Sequence, residues 1–121
     1  PELAAVAALI HRAARGDRCE GLSASGARLL TDWLTNGVDL SMVAAPFGLD
    51  PLAHRGDEPF LWSKTGTDAT VRADMGVIAA PGGAYAYAAI ATWDADDDRR
   101  DEALERMHDL GTRIRSLLTA R

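Results

Sequence analysis

The chain has 121 residues, a formal net charge of −5 and a sequence pI near 5.0. This length suits one domain. Its arginines are scattered among acids, which argues against nucleic acid or an anionic membrane as a partner, because such binding depends on clustered Lys and Arg. No apolar run reaches the ~20 residues of a transmembrane helix, so we expect no membrane span in this chain.

The first part of the chain has a helical pattern of apolar residues. Apolar residues recur every three or four positions over Glu2–Arg15 and again over Gly21–Gly37, which predicts two amphipathic helices. Either Ser23 or Ser25 can cap the second helix. The Asn36-Gly37 pair that follows is typical of a helix stop in which the glycine takes a left-handed conformation.

Two further helices are predicted on either side of a central β region. A short one is expected over Leu40–Ala45, followed by a loop to Pro59 that proline and glycine interrupt. The last is expected over Asp98–Ala120, with acids at its start and arginines, including Arg121, at its end, as the helix dipole favours. The acidic run is therefore interpreted as a solvated helix start and not as a metal site.

Three strands are predicted between these helices, over Phe60–Thr65, Ala73–Ala80 and Ala84–Trp93. The second and third are joined by a short turn at residues 81–83, so they must be antiparallel. Neither face of the third strand is polar, which predicts helices on both faces of the sheet. The resulting fold class is α+β. An apolar third strand at the sheet edge would be exposed, so we expect a missing strand to pair there.

Lys64 is the one lysine among thirteen basic residues, and ammonium and guanidinium groups are not interchangeable where a compact charge is needed. A P-loop is excluded because Ser63, not glycine, precedes this lysine. A Ser63–Lys64 nucleophile and base pair is also excluded, because adjacent strand residues point to opposite faces. The alternative is that Lys64 is simply the basic residue that a strong arginine bias left over.

Cysteine and histidine predict no metal site. Cys19 is the one cysteine, so it makes no disulfide within the chain. The three histidines are too widely spaced for a zinc motif, and we expect them at the surface or beside helices, with no assigned role: His11, His54 and His108.

The order of these elements resembles the carboxy-terminal part of class A β-lactamases and related penicillin-recognising serine hydrolases. The resemblance covers about Glu2 to Arg121. It is carried by a Lys-Thr-Gly triplet on a strand, a following Val-Arg-Ala-Asp-Met-Gly-Val-Ile segment, a hairpin and a terminal helix. An upstream helix that carries an aspartate-tryptophan pair also matches. The triplet and the segment after it are Lys64–Gly66 and Val71–Ile78, and the upstream helix is matched at Leu22–Gly26 and Thr31–Leu34.

Carried over residue by residue, the resemblance makes Lys64 the active-site lysine that supplies positive potential for a substrate carboxylate and supports proton transfer. Thr65 matches the hydroxyl donor to that carboxylate, and Gly66 lets the substrate approach the strand closely. Thr67 matches the position whose backbone N–H forms half of an oxyanion hole. Arg72 is a candidate second cation, but its segment is longer than in the family, so a structural role stays open.

The resemblance implies a β-lactam or D-Ala-D-Ala substrate, an acyl-enzyme reaction without cofactor or metal, and an extracytoplasmic, secreted or periplasmic, location. The family's Ser-x-x-Lys nucleophile motif, its Ser-Asp-Asn motif and its deacylating glutamate do not occur here. We therefore expect residues 1–121 to be the carboxy-terminal part of one domain, with a helical part at 1–59, strands at 60–93 and a terminal helix at 94–121. The expected partner is the amino-terminal half of that domain, or a swapped copy, without which the chain is inactive.

Two alternatives remain open at this point. One is a D,D-peptidase or esterase on the same scaffold, since the strand motif serves carboxylate and acyl recognition generally. The other is a non-catalytic α+β interaction module in which Lys64 is an ordinary strand residue, and that module would be stable and monomeric by itself.

Overall fold

The sheet at the centre of the computed structural model has three antiparallel strands in the order β1-β2-β3. The structure describes residues 1–56 and 58–120, so Asp57 and the predicted helix-end Arg121 lie outside it. Strand β1 spans Phe60–Asp68, β2 spans Val71–Ala80 and β3 spans Gly83–Thr92. The first two are longer than predicted, because the polar residues after Thr65 continue the ladder by pairing with the start of β2.

The register fixes which side chains share a face. Thr65 lies opposite Asp74, and Gly76 lies opposite both Ser63 on β1 and Tyr87 on β3. Because side chains alternate along a strand, these five residues belong to one face of the sheet. Lys64 and its neighbour Gly66 belong to the other face, opposite Met75 and Ala73.

Helices cover both faces, as predicted, and the α+β fold class is confirmed. Helix α1 spans Glu2–Ala14, α2 spans Ala24–Leu34 and α3 spans Arg100–Thr119. On one face α3 contributes to a core cluster that includes Met107, Ile114 and Leu118 with Ile78 and Tyr87. On the other face α1 and α2 pack over a cluster that includes Ala7, Ile10, Trp62 and Val77. The sheet is therefore the middle layer of a three-layer arrangement.

Helix α2 is shorter than its periodicity suggests. It begins after Ser23, whose hydroxyl accepts a hydrogen bond from the Gly26 amide at 3.1 Å, so Ser23 is the cap. At the other end Thr35 keeps right-handed angles, and its hydroxyl donates to the Asp32 carbonyl at 2.8 Å. Gly37 is not among the glycines with positive φ, so the predicted left-handed stop is wrong.

The predicted helix over Leu40–Ala45 is also wrong. Residues 41–44 form turns, and a short 3₁₀ segment follows at Ala45–Phe47. The backbone N–H of Val43 donates instead to the Asp74 carboxylate on β2, at 3.1 Å, so it does not take part in a helical backbone hydrogen bond. A buried partner distant in sequence has therefore replaced the local hydrogen bond.

The histidines differ in their surroundings. His54 is buried, contrary to the predicted surface position, and its Nδ1 lies 2.9 Å from the Asp50 carbonyl oxygen. His108 on α3 places Nε2 2.7 Å from the Ser41 carbonyl oxygen, which links α3 to the turns before the 3₁₀ segment. Both contacts are structural and lie within the chain.

The outer edge of β3 has no partner strand in the described part of the chain. Ile90 is 60% exposed on this strand, and Leu3 and Val6 of α1 are also exposed. A groove of about 610 Å³ runs between the start of α1 and β3, lined by Pro1, Glu2, Leu3, Ala88 and Ile90. Within residues 1–56 and 58–120, none of the helices combines the length and the apolar character that a bilayer crossing requires.

Candidate active site

A concave cavity of about 320 Å³ lies beside β1. One wall is the middle of β1, and the opposite wall is the end of α2 with the loop that follows it. We call the wall formed by β1 the strand wall, and the wall formed by the end of α2 and its loop the loop wall. The loop wall consists of Trp33, Leu34 and Asn36–Asp39, and the strand wall of Ser63, Lys64 and Thr65.

Lys64 projects from the strand wall with an exposed side chain. Its ammonium donates a hydrogen bond to the backbone carbonyl of Thr65, the next residue on the same strand. It forms no ion pair with an acid among the described residues. Since an ammonium has three donors, this leaves Lys64 with capacity to bind an anion in the cavity.

The rest of the Lys-Thr-Gly motif continues along the same strand. Thr65 is half-buried on the face opposite to Lys64, whereas Gly66 and Thr67 are exposed beyond the cavity. A Cβ placed on Gly66 would meet the Ala73 Cβ at 3.6 Å, an ordinary contact, so no neighbour among residues 1–56 and 58–120 demands glycine there. The motif therefore lies on one edge strand, with two of its three residues in the cavity.

Arg72 lies apart from Lys64. It is opposite Thr67 in the register and shares the face of Thr65, not that of Lys64. Its Nη1 donates to the carbonyls of Asp68 and Val71, at 2.6 and 2.7 Å, and its guanidinium lies 5.7 Å from the centre of the Trp93 ring. These contacts hold the start of β2 and a residue just after β3 together, which is a structural use of the arginine.

A buried polar cluster behind the strand wall was not predicted from the sequence. Asp74 is 3% exposed, and its carboxylate accepts hydrogen bonds from the Val43 amide and from the Tyr87 hydroxyl, both at 3.1 Å. Ser63 is also buried and lies on the same face of the sheet as Tyr87, because both residues are opposite Gly76 in the register. The cluster thus runs from Val43 through Asp74 and Tyr87 to Ser63.

Burial governs the ionisation of this cluster. Desolvation raises the pKa of Asp74 to about 6, since the two hydrogen bonds that stabilise the carboxylate compensate only in part, and the nearby Asp39 adds a smaller increase. Desolvation, followed by the charge of Asp74, raises the pKa of Tyr87 far above its usual range. Tyr87 therefore remains a hydrogen-bond donor at all ordinary pH values.

One sequence signal does mark Asp74. It is the one acid in the strand Val71–Ala80, which is otherwise largely apolar, and such an acid must either face solvent or be buried with partners. Its partners lie 31 and 13 residues away in the chain, so local patterns do not reveal them. In the described part of the chain, no group of three or more His, Cys, Asp and Glu side chains is arranged to hold a metal ion.

Comparison with known proteins decides the family. A model of the β-lactamase enzyme family matches residues 3–117, almost the whole chain. The chain belongs to the β-lactamase enzyme family. Its membership gives it the scaffold of a serine hydrolase-like protein, as the Lys-Thr-Gly strand and the element order suggested.

Two solved structures have a fold similar to that of this β-lactamase family chain. A structure of PBP-A is similar with a TM-score of 0.67 and 22% sequence identity, over 95% of this chain and 38% of that one. A PBP-A point mutant, solved as its acyl-enzyme complex with penicillin G, is similar with a TM-score of 0.66 and 22% identity, over 95% and 39%. The chain thus spans well under half the length of these structures. No curated protein sequence matched it significantly.

Proposed function

We propose that this chain supplies the Lys-Thr-Gly strand of a serine hydrolase site that hydrolyses β-lactams through an acyl-enzyme. The observation that carries the proposal is the position of Lys64 and Thr65 together on the strand wall of the cavity. Lys64 is exposed there and forms no ion pair in the described part of the chain, so its charge is available to a substrate carboxylate.

The geometry of β1 restricts where such a carboxylate can bind. Lys64 and Thr65 point to opposite faces, and β1 is an edge strand of the sheet. A carboxylate that contacts both side chains must therefore lie at the outer edge of β1 and not over either face. Under this proposal Gly66 and Thr67 border the reacting carbonyl, Thr67 through its backbone N–H, and Arg72 acts on the carboxylate only if its guanidinium leaves Trp93.

The nucleophile must come from another segment, since the sequence has no Ser-x-x-Lys motif. In the proposed reaction a serine oxygen attacks the lactam carbonyl, the lactam C–N bond breaks and the nitrogen takes a proton. Water then hydrolyses the resulting ester. We propose that the amino-terminal half of the same domain, or a swapped copy, provides this serine. The exposed outer edge of β3 and the 38% coverage of PBP-A support this partner.

Mass spectrometry after incubation with benzylpenicillin tests the proposal. The chain alone should form no covalent adduct, and an adduct should appear on the serine segment when the amino-terminal half is supplied. An adduct on the isolated chain would disprove the version in which this chain lacks the nucleophile. Absence of any adduct with the amino-terminal half present would disprove the hydrolase proposal.

Substitution of Lys64 tests its role in the complemented domain. Lys64→Ala should slow acylation by about 10- to 100-fold, because a charge-assisted hydrogen bond to the substrate is lost. Lys64→Arg should recover only part of the rate, since the guanidinium differs in shape and hydration. The matched control is Arg106→Ala, which removes a highly exposed cation from α3 and should leave the rate unchanged.

A D,D-peptidase or esterase on the same scaffold is the second candidate. The PBP-A mutant solved as its acyl-enzyme complex with penicillin G has a similar fold, and both activities pass through an acyl-enzyme. Turnover of a chromogenic cephalosporin compared with a D-Ala-D-Ala peptide by the complemented domain separates the two activities. An extracytoplasmic location is proposed on the family resemblance alone, and fractionation of the native host would test it.

A further inference from the structure

We propose that Asp74 is a positioning residue for this site, which holds the loop wall of the cavity at a fixed distance from the strand wall. This proposal rests on the proposed function for its catalytic consequence. Its structural part concerns the cavity alone and can be tested without any activity.

The first observation is that the neighbours of Asp74 link it to both walls of the cavity. Its carboxylate binds the Val43 amide, and Val43 lies four residues beyond Asp39 on the segment that forms the loop wall. Asp74 also lies directly opposite Thr65, on the same face of the sheet, behind the strand wall. One buried side chain therefore connects the continuation of the loop wall with β2, the strand that pairs with β1.

The second observation is that the connection continues to the cavity surface. Tyr87 donates its hydroxyl to Asp74 at 3.1 Å, and it lies on the same face of the sheet as Ser63 of the strand wall, with both residues opposite Gly76 in the register. The polar cluster therefore runs from the loop segment to the strand wall through two buried side chains. Because a buried carboxylate without partners is costly, each member holds the others in place.

The third observation concerns Gly76, which lies between Ser63 and Tyr87 in the register. A Cβ on Gly76 would lie 2.2 Å from the Trp62 carbonyl oxygen and 3.0 Å from the Ser63 Cβ. No side chain can therefore occupy this position without moving β1. The absence of a side chain keeps a direct path between Tyr87 and Ser63 across β2.

The remaining contacts of the loop segment do not replace Asp74. Ser41 is bonded to Asp39 within the segment itself, by its amide and its hydroxyl. The Ser41 carbonyl lies against His108, which belongs to α3 and not to the sheet. In the described part of the chain, the hydrogen bond from Val43 to Asp74 is the one that joins this segment to the sheet.

Hydrogen exchange with mass spectrometry on the full chain tests the structural part. Asp74→Ala should increase exchange about tenfold in peptides covering residues 36–44 and 60–68, because the tie between the walls is lost, while the peptide covering 2–14 should change less than about twofold. Asp74→Asn should restore slow exchange, because the amide oxygen can accept from Val43 and the NH₂ group can donate to Tyr87.

Met107→Ala is the matched control, because Met107 is buried in the core cluster that includes Tyr87 but makes no hydrogen bond to the loop. Its cavity should increase exchange in all three peptides by similar factors. If Asp74→Ala gives this same uniform pattern, or leaves residues 36–44 unchanged, the positioning role is wrong. If Asp74→Ala does not fold, Tyr87→Phe tests the positioning role in its place. It should increase exchange in the peptide covering 60–68 more than in the peptide covering 36–44. Equal increases in the two peptides would contradict the proposal.

Acylation by benzylpenicillin in the complemented domain tests the catalytic consequence. Asp74→Ala should reduce the acylation rate about tenfold, whereas Asp74→Asn and Met107→Ala should stay within about threefold of the unsubstituted protein while folded. A normal rate in Asp74→Ala would contradict the catalytic part. If the unsubstituted domain is not acylated at all, the proposed function fails, and the exchange pattern alone decides the role of Asp74.

Discussion

At the scale of single residues, Asp74 makes the stability of the chain depend on pH. Burial raises its pKa to about 6 from an ordinary 3.8. Between these values the folded state holds a proton that the unfolded state has released, so this contribution to stability is fully present below pH 4 and is lost as the pH rises through 6. The charged group that acts on it is Asp39 on the segment after α2, which opposes ionisation of Asp74.

Asp74→Asn should therefore stabilise the chain at neutral pH. The shift corresponds to about 2–3 kcal/mol, and we expect a gain of that order above pH 7 and almost none at pH 4. Urea denaturation across this range, followed by circular dichroism, measures the difference. Asp109→Asn, at an exposed position on α3, should follow the unsubstituted protein at every pH. A gain for Asp74→Asn that does not vary with pH would contradict this account.

The site residues show what the sequence could reveal at this scale. Lys64 and Thr65 were singled out by composition and motif, and both lie at the cavity. Asp74, Tyr87 and the Val43 amide were not found, because the bonds that unite them join residues far apart in the chain. A motif in one strand can be recognised locally, whereas a buried polar cluster depends on the assembled fold.

At the scale of elements, the contact between α3 and the segment before the 3₁₀ turn requires a glycine. A Cβ on Gly111 would lie 2.0 Å from the Val43 carbonyl oxygen and 3.1 Å from the Pro46 Cδ. Both neighbours lie in the segment that supplies the Val43 amide to Asp74. The close approach of α3 thus supports the same segment from the side opposite to the sheet.

Gly111→Ala should destabilise the chain by about 1–3 kcal/mol or more, because the helix must move away from backbone atoms that have little freedom to shift. Thr112→Ala, at the adjacent exposed position, should cost little. Thermal denaturation of both variants measures the comparison. Equal melting temperatures for the two variants would show that α3 is not held at this distance.

The elements also show where sequence patterns succeed. The three strands and both long terminal helices follow from apolar periodicity, and their positions agree with the structure to within a few residues. The expected helix over Leu40–Ala45 failed because Met42, Val43 and Ala44 are buried between α3 and the sheet, where Asp74 binds the Val43 amide. A periodic pattern in so short a segment fits a buried turn as well as a helix.

At the scale of the whole molecule, the two outer strands of the sheet expose different surfaces. The outer edge of β1 borders the cavity, whereas the outer edge of β3 borders the apolar groove against α1. An unpaired apolar edge promotes association with another strand. The isolated chain should therefore self-associate through β3, in contrast to the stable monomer expected of a non-catalytic module.

Ile90→Lys should increase the monomer fraction of the isolated chain, because a charged side chain on an edge strand opposes strand pairing. Analytical ultracentrifugation over a range of concentrations measures this fraction. The matched control is Leu52→Lys, which makes the same charge change at a side chain that is 87% exposed outside the sheet. If the unsubstituted chain is a stable monomer, or if both variants behave alike, the β3 edge is not a site of association.

The position of β2 between β1 and β3 determines how independently substitutions on the two outer strands act. Lys64 and Ala88 lie in register on either side of Met75, so about 10 Å of sheet separates the cavity from the β3 edge. At such distances, substitutions that share no contact have additive effects on free energy. Affinity for a partner segment can then be adjusted on β3 independently of ligand recognition on β1. The middle strand, with Asp74 and Gly76, is where a substitution would couple the two.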